Sequence, residues 1–125
     1  MIRISNDIKV FIDKKIIGAC QKMLLLKNEE NIYPAYLEIS RLVLYEIEIL
    51  KNFIDYEKFK EKIKDIPFTF IMKTLGPEKF SRITKIEYCY FVKEPILIKT
   101  SNVILCDSEI LKVSKVTYTK ENNKW

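Results

Sequence analysis

The sequence predicts a single α+β or α/β domain over residues 1–125, with a helical N-terminal half, about 8–65, packed on a strand-rich part, about 67–119. Three observations lead there. Apolar residues recur at three- and four-residue spacing over 8–26 and 34–53, as on a buried helix face. After Pro67 the spacing changes to two over residues 82–93, as in a half-buried strand. A 125-residue chain with 48% hydrophobic and 31% charged residues has the composition of a folded domain that can fill a core.

In the first predicted helix, Ile8, Phe11, Ile12, Ile16, Ala19, Cys20 and Met23 form the apolar stripe and Asp7 is the N-cap. The polar segment 27–31 ends it. Pro34 suits the first turn of a second helix reaching Phe53, with Ile39, Leu42, Val43, Leu50 and Phe53 as its core face. Leu44, Ile47 and Ile49 extend that face almost all round, so this helix needs more than one partner. Asp55 caps a third helix over 55–65, whose lysines read as a solvated face. After Pro67, residues 68–72 are aromatic and β-prone, and Gly76-Pro77 is a turn signal. Along 82–93 the alternation sets Ile86, Tyr88, Tyr90 and Val92 on one face against Glu87, Cys89 and Phe91 on the other. Pro95 opens a short apolar strand, a helix capped at Ser101 or Asn102 runs to Leu111, and Val113–Thr119 is the last strand.

The chain contains no histidine, which removes the commonest general base and metal ligand. No glycine-rich phosphate loop and no GxSxG motif is present. Glu46 and Glu48 do not share a helix face at their spacing of two. No catalytic residue, metal site or cofactor is therefore assigned. Cys20, Cys89 and Cys106 lack metal-ligand spacing and read as reduced core residues. The net charge is +5, yet only Arg3, Arg41 and Arg82 among the 22 basic residues are arginine. Lysine is a poor reader of base edges, so specific nucleic-acid binding is not expected. No apolar run is long enough for a secretory leader or a membrane span, which points away from secretion and membranes.

One stretch rises above composition. Glu38-Ile39-Ser40-Arg41-Leu42-Val43-Leu44-Tyr45-Glu46 resembles the N-terminal helix motif of the uracil phosphoribosyltransferases, with Glu38, Arg41, Tyr45 and Glu46 in register. Pro95-Ile96-Leu97 resembles that family's Pro-Ile-Leu-Arg-Ala-Gly segment, but Ile98, Lys99 and Thr100 replace the last three residues. Val116–Glu121 is similar to a later Tyr-Arg-x-Glu segment, again without its arginine. The resemblance implies a truncated, partial phosphoribosyltransferase-like fold without independent activity, with a β-hairpin arm over 67–92 and a strand–helix–strand unit from Pro95 onward, located in a plastid stroma or a cytoplasm. In the absence of the family's phosphate-binding arginines, Lys99 and Lys120 are its candidate phosphate contacts.

A rival resemblance runs from Lys85 through Pro95 to Val103, which is similar to a strand pair of the chorismate lyase-like fold. It implies a small-ligand module, with residues 83–93 antiparallel to 95–105. The phosphoribosyltransferase reading instead requires 95–98 parallel to 113–119. A third reading is weak, salt-sensitive nucleic-acid binding driven by the basic charge. The partner expected here is protein, a homo-oligomer first. The second helix has apolar surface to spare, and Phe68, Phe70, Tyr88, Tyr90 and Phe91 occupy both faces of their strands.

Overall fold

A computed structural model describes residues 8–27, 34–75 and 80–122. Strands dominate it. The predicted first helix is instead three strands, β1 (Ile8–Ile12), β2 (Lys15–Cys20) and β3 (Lys22–Lys27). The reason is local. Ile8, Val10 and Ile12 are β-branched at a spacing of two and all buried, a period-two signal inside the apparent helical stripe. Asp13 and Lys14 have φ of 50° and 70°, so they form the two-residue turn that folds β2 back on β1. The Asp7 cap lies outside the described residues, as do most of the predicted polar break and the Gly76-Pro77 turn.

The second predicted helix is also corrected. Its first two-thirds are β4 (Pro34–Ser40) and β5 (Leu42–Tyr45), and only α1 (Glu46–Asn52) is helical. Arg41, at φ 54°, bends the chain between the two strands. Ile39 and Leu42 are fully buried as expected, Val43 and Phe53 are half-buried, and Leu50 is exposed at 44%. α2 (Tyr56–Lys62) lies where the third helix was predicted and continues as a 3-10 turn over Ile63–Asp65. Its cap is Asp55, whose side chain accepts from the Lys58 N–H at 2.8 Å.

β6 (Phe68–Leu75) is antiparallel to β7 (Phe80–Phe91), but the pair is no arm: β6 also pairs with β1 and β7 with two later strands, so both are built into the sheet. The strand–helix–strand unit is not formed. The predicted helix of 101–111 is β9 (Val103–Cys106) and β10 (Glu109–Lys112), with β8 (Leu97–Lys99) before it and β11 (Lys115–Asn122) after it. β8 pairs antiparallel with β9, and β11 pairs antiparallel with β7. Neither the parallel pairing required by the phosphoribosyltransferase reading nor the chorismate lyase-like pairing is formed.

The sheet returns on itself. Hydrogen-bonded neighbours run β4-β10-β7-β6-β1-β2-β5, and β4 and β5 are one bent strand. β2–β3, β4–β5 and β9–β10 each bend between one sheet segment and the next, so six staves close an antiparallel barrel. At the first two bends the Gln21 N–H donates to the Ser40 carbonyl at 3.2 Å, and Arg41 Nη1 donates to Gln21 Oε1 at 3.0 Å. The strands approach closely here. A Cβ added to Gly18 would overlap the Val43 carbonyl oxygen, so glycine is the residue that fits.

The interior holds Val10, Ile17, Leu37, Leu44, Phe68, Phe70, Ile104 and Leu111, all fully buried. The helical insertion adds Ile49, Phe59 and Ile63, with Phe53 edge-on to Phe59 at 5.1 Å between ring centroids. One irregularity decides which side chains face out. Tyr88 has φ 56°, and the β6–β7 register shifts beside it. The extra residue moves Cys89 and Phe91 to the inside with Ile86 and leaves Tyr88, Tyr90 and Val92 outside, where unbroken alternation would have separated Ile86 from Cys89 and Phe91.

Candidate functional site

The nine-residue motif is spread over three elements. Glu38 is on β4, Arg41 at the bend, Tyr45 ends β5 and Glu46 begins α1. Pro95 is buried in the connection from β7 to β8, and Lys99 ends β8. Lys120 sits opposite Arg82 in the β11–β7 ladder, and its side chain lies outside the described residues.

The structure joins two of these residues. Lys99 Nζ lies 3.0 Å from Glu46 Oε1. The same ammonium is 5.4 Å from the Tyr56 ring centroid, and Lys60 Nζ lies 5.0 Å from that centroid. The Glu46 N–H donates to the Asn102 carbonyl at 3.2 Å. These contacts tie the β8–β9 hairpin to the start of α1 and to α2. Lys99 already has a carboxylate partner, so its charge serves this tie before it could serve a phosphate. Lys99 is about half exposed although Glu46 is mostly covered, so solvent screens the pair and it contributes little stability.

Cys20, Cys89 and Cys106 are buried, as the sequence suggested. Burial pushes each thiol up to about 12, with the carboxylates of Glu87 near Cys89 and of Glu109 and Asp107 near Cys106 adding to it. Such thiols do not supply a thiolate at neutral pH. Among the described residues no cluster of His, Cys, Asp and Glu could hold a metal ion, and no helix is long and apolar enough to cross a membrane.

The distinctive surface is apolar. On the outer face of β3, β4, β10 and β7, one row across the strands reads Leu24, Glu38, Ile110, Val92, and the next reads Leu26, Tyr36, Lys112, Tyr90. The residues between these rows, Leu37, Leu111 and Phe91, point into the barrel and are buried. Leu24 is 51% exposed and Val92 50%. A second surface lies along β5, β9 and β8, where Val43, Leu105 and Ile98 align, Ile98 being 58% exposed. On the helical insertion Ile47 and Ile54 are exposed, Ile54 at 86%.

Tyr88 and Tyr90 were legible as surplus aromatics, but the partners they share a face with were not. The signal for the first surface is Met23-Leu24-Leu25-Leu26, a run apolar on both faces once it is read as a strand. Compared with known proteins, the chain matches no family model, no curated sequence and no solved structure.

Proposed function

We propose that this protein works as an assembly subunit: a β-barrel that acts by binding other protein chains, copies of itself first, rather than by chemistry of its own. The observation that carries the reading is the contrast between a filled interior and an apolar exterior. The barrel core is complete without Leu24, Tyr36, Tyr90, Val92 or Ile110, yet these side chains stand together on one outer face. Scattered exposed apolar residues need no explanation, whereas rows of them spanning four strands mark contact surfaces. Open strands add to this. Among the described residues β3 and β8 end the order of the sheet, and each has a backbone edge with no described partner, able to accept a further strand.

The comparisons leave the uracil phosphoribosyltransferase relationship itself untouched. The fold it implied is not the one observed, and the proposal does not depend on it. Sedimentation equilibrium at physiological salt tests the assembly reading. The expected result is association that rises with concentration and persists at raised salt, because apolar burial is not screened. A monomer at every concentration would overturn it, and tight nucleic-acid binding by that monomer would favour the basic-charge reading instead.

A further inference from the structure

The outer face of β3, β4, β10 and β7 carries one acid and one base at its middle. Glu38 on β4 and Lys112 on β10 are diagonal neighbours, because Glu38 is opposite Ile110 and Lys112 is opposite Tyr36. Neither forms an ion pair with another described residue. Apolar side chains flank both in their rows. On a chain of net charge +5, this patch is electrically balanced.

We infer that this face docks on the same face of a second copy about a two-fold axis. This rests on the assembly reading above and names its surface. In a two-fold contact, residue i meets residue j and j meets i. The axis of two packed faces lies in the plane of contact. Placed across the Glu38–Lys112 diagonal at its midpoint, it sets Glu38 against Lys112 of the second copy and Lys112 against Glu38 of the second copy. The same operation brings Tyr36 against the second Tyr36 region and Ile110 against the second Ile110 region. Two opposite-charge contacts and two apolar contacts follow from one symmetry element.

A face with two charges of the same sign would repel its own copy, so the charge pattern selects the occupant as well as the site. Four strands at the usual spacing span about 19 Å, a small contact as specific interfaces go. The dimer should therefore dissociate on dilution.

The experiment is sedimentation of the full chain over a concentration series, as wild type, Glu38→Lys, Lys112→Glu and the double exchange. Each single reversal places like charges at both symmetric contacts and should weaken dimerisation about tenfold or more. The double exchange restores both pairs and should recover wild-type association, which also shows that the altered chain folds. A wild-type monomer overturns the assembly reading together with this inference. Wild-type association that the single reversals leave unchanged overturns this surface alone. Singles that weaken association without recovery in the double exchange, or an open-ended series in place of a dimer, overturn the two-fold arrangement.

Discussion

At Cys20, Cys89 and Cys106 the barrel withholds a thiol from water, and this gives stability a direction in pH. Each native thiol titrates near 12, against an ordinary value of 9.0 in the unfolded chain. Between those values the native state keeps a proton that the unfolded state has released. Stability from this source is complete below about pH 9 and falls as pH rises toward 12. Thermal melts from pH 7 to 11 should hold level at first and then decline, and Cys89→Ala should make the decline shallower. An equally steep decline in that variant would remove the thiols as its cause. The burial of these residues was legible in the sequence from their apolar neighbours. Gly18 was not, because its requirement comes from the carbonyl of Val43, 25 residues away in the chain.

Among the elements, those governed by local chemistry were the ones the sequence revealed. Asp55 sits at an exposed helix start and caps it, and β6–β7 alternates in the open. β1 to β5 were misread because Ile8, Ile12 and Ile16 satisfy the helical period and the strand period together. The period alone could not separate them, whereas their β-branching pointed to strands. The Tyr88 bulge reversed one face of β7, a change that no pattern of two contains. The β1–β2 hairpin offers a direct check. Asp13-Lys14 has positive φ at both positions, where Asp-Gly is the preferred pair. Lys14→Gly should relieve strain of about 1 kcal/mol and raise the melting temperature by a few degrees. A lower melting temperature would show that the lysine side chain contributes more than its backbone costs.

At the scale of the whole molecule, closure depends on the stave that comes last. β9 and β10 lie against β5 and β4 on one side, and β10 against β7 on the other, so residues 103–112 complete the ring. A ribosome delivers them after all the other staves. Until they emerge, the partner edges of β4, β5 and the end of β7 are unpaired, and the half-made barrel presents the strand edges and apolar interior on which nascent chains aggregate. A chain ending at Asn102 should be protease-sensitive and self-associating, and the full chain protease-resistant. Equal resistance in the two would mean that closure is unnecessary for order. During synthesis, then, the hazardous interval for this protein ends only when ten residues, 103–112, have left the ribosome and docked between β4, β5 and β7.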